Sequence, residues 1–327
     1  MLARPLRTCL AALAALFAAT SADAQQRSRL DPDTVAVDRD LAYIDGGHER
    51  QKLDLYRPPG ADGPLPVIVW IHGGGWQNGS KANCLPLKLG YVDKGYAVAS
   101  VGYRLTDAAT WPAQVDDCRD AIRWLRIHAD KYGLDADRIG VWGASAGGHL
   151  AALVATMDDT KGDASGGDAD GKDASARVQA ACDYYGPTDL IAFGRTPGPG
   201  YGDRVSQPNS PEHKLLGGPI EQDQDRAREA SAVTYASADD PPMLIVHGTD
   251  DPLVPLDQSE RLYDALSKAG VPVHLHVVQG GGHGRPGFGK PAVLDTVAAF
   301  FARHLKQNAA GQNASEAMPT RRTESGL

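Results

Sequence analysis

The chain has 327 residues, 42% of them hydrophobic, and a formal net charge of −8. That apolar fraction fills a large core and excludes a chain disordered throughout. The negative balance, with no basic stripe, excludes a nucleic-acid binder, and no repeat of solenoid period is visible.

Arg4 and Arg7 precede an apolar run from Leu10 to Ala19, and Ala22-Asp23-Ala24 has the small-x-small form of a cleavage site. This is the pattern of a secretory signal peptide over residues 1–24, with a mature chain beginning at Gln25. The run is too short to span a bilayer. An exported protein, secreted or periplasmic, without stable membrane insertion is therefore expected.

Residues 40–45 and 51–57 alternate and read as two antiparallel strands joined through Gly46-Gly47. Leu65 to Ile71 is a continuous apolar run, the pattern of a strand buried on both faces of a parallel sheet. Ala97–Val101, Arg138–Trp142, Val178–Tyr184, Met243–Val246 and Val273–Val278 are runs of the same kind. Helical spacing predicts helices over 112–131, 257–269 and 291–305, with Pro112 in a first turn and Gly270 as a C-terminal stop. Strands alternating with helices predict an α/β fold: a mostly parallel, eight-stranded, doubly wound sheet in one domain over residues 25–305. Residues 187–241, rich in Gly, Pro and charge, form an insertion between core strands that lies over the site as a lid. Residues 158–176 lack any large apolar side chain, and 306–327 form a polar tail; both are expected to be disordered.

Cys9 leaves with the leader. Cys84, Cys118 and Cys182 are an odd number whose spacing matches no zinc site. One disulfide or three buried thiols both fit. No cofactor or metal is expected. His274 and His276 share one face of a strand but have no accompanying carboxylate or cysteine, which points to exposed strand positions rather than a metal pair.

Gly143-Ala144-Ser145-Ala146-Gly147 matches G-x-S-x-G between a predicted strand and a predicted helix, the context that makes Ser145 a candidate nucleophile on a strained turn. His72-Gly73-Gly74-Gly75-Trp76 follows the first buried strand. Its glycines can turn backbone N–H groups toward a developing oxyanion, so Gly74, Gly75 and Ala146 are the expected donors. The loop lacks the lysine of a phosphate-binding loop. His72 is expected to anchor the loop, and His149 to be structural with some access to the site. Asp251 follows the strand Met243–Val246. It is favoured over Asp250 as the acid because Pro252 and Val254-Pro255 fix the loop behind it. His283, in a glycine loop 32 residues later, is the candidate base. The chain order Ser, Asp, His is that of α/β-hydrolases.

These motifs, with Gly102-Tyr103-Arg104-Leu105, Gly148-His149-Leu150, Tyr185-Gly186-Pro187-Thr188-Asp189 and His247-Gly248-Thr249-Asp250-Asp251, resemble the acetyl esterase/lipase group of α/β-hydrolases. The branch is the hormone-sensitive-lipase-like one, and the likeness is strongest to bifunctional feruloyl and acetyl-xylan esterase-like proteins. It covers residues 40–305. The resemblance implies a serine carboxylesterase working through an acyl-enzyme on a small-molecule or carbohydrate-linked ester, with short acyl groups such as acetyl or feruloyl. The N-terminal cap helices usual in that branch are missing here, which implies a more open site. Trp76 and Tyr185, with Tyr201 beside them, are the aromatics expected to meet substrate. A prolyl-oligopeptidase-like peptidase and a non-catalytic binding module are the alternatives on this fold. The leader makes one direct prediction: exported protein analysed by mass spectrometry begins at or near Gln25, and an intact Met1 in that fraction would refute the cleavage site.

Overall fold

The computed structural model describes residues 35–159, 174–196, 201–205, 207–306 and 321–323. The leader and its cleavage site lie outside them, as does most of the segment 158–176. Chain order gives β1 (Ala36–Ala42), β2 (Lys52–Arg57), β3 (Leu65–Ile71), α1 (Leu85–Lys88), β4 (Ala97–Val101), α2 (Ala113–Ile127), α3 (Ala129–Tyr132) and β5 (Leu134–Ala144). Then come α4 (Ala146–Thr156), β6 (Ala180–Tyr184), α5 (Leu190–Arg195), α6 (Gly202–Val205), α7 (Pro211–Leu216), α8 (Gln224–Glu229) and β7 (Met243–Gly248). The described chain closes with α9 (Asp257–Ala269), β8 (Val273–Val278), α10 (Pro291–Leu305) and β9 (Arg321–Thr323).

The strands form one sheet in the order β1-β2-β4-β3-β5-β6-β7-β8-β9. Pairing is antiparallel at β1/β2 and β2/β4 and parallel from β4 onward. The continuous apolar runs divide by parity. Val67, Val69 and Ile71 of β3 join a core with Val115, Leu150 and Leu262 from α2, α4 and α9. Ile68 and Trp70 join the opposite core, with Val293, Phe301 and Leu305 of α10. Both faces are thus covered by helices, which is why these strands show no polar alternation.

Three local expectations need correction. The first strand lies at Ala36–Ala42 rather than 40–45, because a bulge between Asp38 and Leu41 interrupts the alternation; Asp40 sits there at φ 54° with its N–H on Asp54 Oδ1. Within the supposedly structureless tail, Arg321–Thr323 forms β9 and pairs in parallel with β8. The open edge of β8 offers backbone groups to any extended segment, so that pairing leaves no mark in side-chain pattern. His274 and His276 are buried, not exposed, because they share the face of β8 that α10 covers; Thr296 of α10 lies 3.5 Å from the His276 ring.

Cys84, Cys118 and Cys182 are all free and buried. The ends of the 158–176 segment are tied down: Asp159 accepts hydrogen bonds from Arg119, Arg123 and the Ala176 N–H. A second polar tie joins the strands to α2. Asp117, fully buried, accepts from Gln51 Nε2 at 2.7 Å, from the Arg104 N–H at 2.7 Å and from the Arg104 guanidinium at 2.6 Å. Truncating it leaves a buried amide and a half-buried guanidinium without their acceptor. Asp117→Ala should therefore cost about 3 kcal/mol in urea unfolding, the scale for breaking a buried pair from one side. An unchanged midpoint would show that the network does not contribute to stability.

Candidate active site

β5 runs into α4 through a turn at Ser145 that only close backbone approach permits. A Cβ on Gly143 would lie 2.0 Å from the Gly147 carbonyl oxygen, and one on Gly147 would lie 2.1 Å from that of Ile71. With both absent, β3, β5 and the first turn of α4 come together. Ser145 is left at φ 56°, ψ −123°, its N–H held on the Tyr184 carbonyl at 2.8 Å. The side chain stands at the C-terminal edge of the sheet, at the positive end of α4.

The glycine loop leaves β3 beside it. A Cβ on Gly73 would meet Ser145 Cβ at 3.3 Å, so loop and serine are neighbours. Gly74 and Gly75 take φ 124° and 58°, backbone that a side chain would strain. Among the described residues, the N–H groups of Gly74, Gly75 and Ala146 have no hydrogen-bond partner. His72 anchors this loop, as expected. Its Nδ1 donates to the Gly73 carbonyl at 2.8 Å, and its ring stacks on Tyr103 at 4.4 Å. Burial lowers its pKa to about 4, against the Gly73 hydrogen bond that raises it, so the ring stays neutral.

The loop after β8 delivers His283 to Ser145. His283 Nε2 lies 2.8 Å from Ser145 Oγ, and Nδ1 lies 2.7 Å from Asp251 Oδ2. Asp251 is 1% exposed, and its Oδ1 accepts from the N–H groups of Leu253 and Val254. Burial alone would raise this carboxyl, but hydrogen bonds from His247 and His283 outweigh it and hold the group well below the usual carboxylate range. Asp250 is exposed and accepts from the Thr249 hydroxyl instead. Asp251, not Asp250, therefore meets the imidazole.

His247 is a participant that sequence reading quoted within a motif but gave no task. Its ring is fully buried, with Nε2 3.4 Å from Asp251 Oδ2 and 2.9 Å from the Val254 carbonyl; Nδ1 is 2.6 Å from Ser259 Oγ. It meets the same carboxylate oxygen, Oδ2, that His283 contacts. A histidine at the last turn of a core strand, four residues before the acid, was the available signal.

The two aromatics expected to meet substrate divide. Tyr185, at φ 47°, lies with its ring 4.6 Å from that of His283 and so forms a wall of the site. Trp76 does not. It is 2% exposed, and its Nε1 donates to His149 Nδ1 at 3.2 Å, so it belongs to the core beneath the glycine loop. Its φ of 55° turns the indole inward, which spacing along the chain did not reveal. Tyr201 reaches the acid loop, donating to the Asp251 carbonyl at 2.6 Å.

The insertion between β6 and β7 touches both the glycine loop and the loop that carries Asp251. Pro211 lies 3.2 Å from where a Gly75 Cβ would stand, and Lys214 reaches Gln77 at 2.8 Å. Arg204 donates to the Leu253 carbonyl at 3.2 Å. Chemically, the arrangement offers a hydroxyl beside an imidazole, a buried carboxylate behind it, and unpartnered N–H donors on the adjoining loop. Those are the parts of nucleophilic acyl transfer.

The chain is similar to known proteins in sequence and fold. The family model described as BD-FAE matches residues 53–266. Over 237 residues the chain is 33% identical to the probable carboxylic ester hydrolase LipM of Mycobacterium tuberculosis, covering 71% of this chain and 52% of that protein. The chain spans about half the length of the curated relatives it matches. Among solved structures, a truncated form of a carbohydrate esterase from gut microbiota superposes with a TM-score of 0.75 at 29% identity, covering 85% of this chain and 99% of that one. An acetyl ester-xyloside bifunctional hydrolase from Caldicellulosiruptor lactoaceticus does so at 0.61 and 29%, covering 77% and 85%. The geometry ranks the two aspartates: Asp251→Asn should lower kcat on the order of 10⁴-fold, as loss of a triad acid does elsewhere, and Asp250→Asn by less than about tenfold. Steady-state kinetics giving the reverse order would move the role to Asp250.

Proposed function

The chain belongs to the BD-FAE family and has the α/β-hydrolase fold of the esterases it resembles, and from that premise we propose that it is a serine carboxylesterase acting on short-chain acyl esters. The observation that carries the reading is the continuous hydrogen-bond path from Ser145 Oγ through His283 to Asp251, at 2.8 and 2.7 Å. Ser145 Oγ attacks the ester carbonyl carbon while His283 Nε2 takes its proton. The carbonyl oxygen becomes an oxyanion held by the N–H groups of Gly74, Gly75 and Ala146, each donor worth about 3 kcal/mol in comparable sites. Asp251 keeps Nδ1–H of His283 in place and stabilises the imidazolium. His283 then gives the proton to the leaving alkoxide, the C–O bond breaks, and an acyl-Ser145 ester remains. Water, deprotonated by His283, attacks that ester and releases the acid.

The names of two solved neighbours, a carbohydrate esterase and an acetyl ester-xyloside hydrolase, support acyl groups on carbohydrate, acetyl above all; feruloyl esters of plant polysaccharide are the larger member of the class we propose. The leader read from the sequence supports action outside the cytoplasm, where such polymers are met. Pro211 over the glycine loop and Tyr185 against His283 favour a small acyl group. A lipase would gain about 0.8 kcal/mol for each methylene it buries. A panel of p-nitrophenyl esters should therefore give the highest kcat/KM from acetyl to butyryl, with a steep fall by octanoyl. Ser145→Ala should remove several orders of magnitude of turnover with the melting temperature kept. Undiminished hydrolysis by Ser145→Ala would end the serine mechanism, and a profile still rising at decanoyl would end the short-chain reading.

A further inference from the structure

His149 lies at the first turn of α4, its N–H on the Ser145 carbonyl at 2.9 Å, and its side chain is fully buried. Its two ring nitrogens meet groups whose roles are fixed. Trp76 Nε1, 3.2 Å from Nδ1, is an indole N–H that can only donate. The Ala230 carbonyl, 2.7 Å from Nε2, can only accept. Both distances are satisfied together only by the neutral ring with its proton on Nε2. Trp76 packs edge-on against this ring at 5.1 Å, and the Trp111 ring lies tilted to it at 6.3 Å. Burial keeps the imidazole neutral, lowering its pKa to about 4 against the raising effect of the Ala230 carbonyl.

These partners come from three separate parts of the site. His149 belongs to the helix that follows Ser145. Trp76 directly follows Gly75 of the glycine loop and takes φ 55°, a strained conformation for a non-glycine residue that its surroundings must impose. Ala230 ends α8, inside the insertion between β6 and β7. One side chain therefore holds the nucleophile's helix, the glycine loop and the insertion in register. Residues next to Trp76 carry the Gly74 and Gly75 N–H groups, so a change in the indole's position re-aims those donors.

We propose that His149 is a positioning residue for the oxyanion hole: through the indole of Trp76 it sets the direction of the Gly74 and Gly75 N–H groups, and through Ala230 it makes that direction depend on the insertion. The proposal rests on the esterase reading. It implies that loss of the hydrogen bond to Trp76 weakens stabilisation of the transition state and leaves ground-state binding almost unchanged. Oxyanion donors act only as the negative charge develops.

The test uses the whole chain with three variants and two readouts. His149→Leu fills the space without hydrogen bonds. His149→Gln offers an acceptor and a donor again. Trp76→Phe removes only the indole donor and part of its ring. With p-nitrophenyl acetate, His149→Leu and Trp76→Phe should each lower kcat about 30-fold with KM within about twofold, and the double variant should fall no further. His149→Gln should recover kcat to within about threefold of the parent. The rate at which a fluorophosphonate labels Ser145, whose phosphonyl oxygen takes the oxyanion's place, should fall in parallel. Should His149→Leu fail to fold by circular dichroism, Trp76→Phe and His149→Gln carry the same comparison. Parental kcat and labelling rate in Trp76→Phe, additive losses in the double variant, or a rise in KM at constant kcat would each overturn the proposal. Failure of the esterase reading looks different: Ser145→Ala would keep hydrolysing the ester, or the fluorophosphonate would leave Ser145 unlabelled in the parent protein.

Discussion

The backbone turn at Ser145 is the constraint on which the rest of the site depends. A side chain at φ 56°, ψ −123° is strained by something on the order of 1–3 kcal/mol, and the fold has to impose it. It does so through contact. The Gly143 and Gly147 backbones lie where no Cβ fits, and the N–H of Ser145 is committed to the Tyr184 carbonyl of β6. Three parallel strands thus converge on one residue. The parity of β3, with Val69 and Ile71 under α4 and Trp70 on the opposite face, keeps that convergence rigid because both faces are packed.

The insertion then acts less as a cover than as a strap. Its α7 approaches the glycine loop through Pro211 and Lys214, while Tyr201 and Arg204 hold the carbonyls of Asp251 and Leu253. The two loops leave the sheet at different strands and, among the described residues, share no backbone hydrogen bond with each other. A segment touching both limits their relative motion, and the proposed acyl transfer needs that: a displacement of about 1 Å between nucleophile and donors can cost 10²-fold in rate. Sequence reading placed this segment over the site from its Gly, Pro and charge content. The content carried no information about which loop each residue would reach.

That limit recurs wherever sequence and structure part company. The buried strands were legible because residues packed on both faces leave a run of apolar side chains, and Leu65–Ile71, Ala97–Val101 and Val273–Val278 coincide with β3, β4 and β8. Ser145, Asp251 and His283 were legible because a strained turn and two strand-end loops each have local signatures, and the structure brings all three within hydrogen-bond reach. Trp76 was misplaced because a single positive-φ residue reverses the direction of a side chain without changing the spacing around it. His247 passed without an assigned task, and His149 was read only as structural with its partners unnamed, because those partners are not sequence neighbours: Ser259 lies twelve residues on for the first, Ala230 eighty-one for the second. β9 and the His274/His276 face were missed for a related reason. Edge pairing and the covering of a strand by α10 are tertiary facts with no periodic trace.

The choice of acid shows how the same chemistry is decided by donors rather than by residue type. Asp183 on β6 and Asp251 after β7 are both buried, on neighbouring strands, and both lie near His247. Asp183 accepts one hydrogen bond, from the Gly186 N–H at 2.9 Å, and its Oδ2 has no partner among the described residues. Burial therefore prevails and raises its pKa to about 6, against the lowering effects of Gly186 and His247. Asp251 receives the N–H groups of Leu253 and Val254, the His283 ring and the His247 contact, and there the donors prevail. Only a carboxyl that stays ionised throughout the catalytic pH range can hold an imidazolium beside it, because a protonated one would offer an O–H where the Nδ1–H must be accepted. The proline-bounded turn after Asp251 matters for this reason. By holding Oδ1 on two backbone N–H groups it turns Oδ2 toward the His283 and His247 rings, whose hydrogen bonds keep the carboxylate charged at a depth where a less well-donated neighbour is pushed toward neutrality.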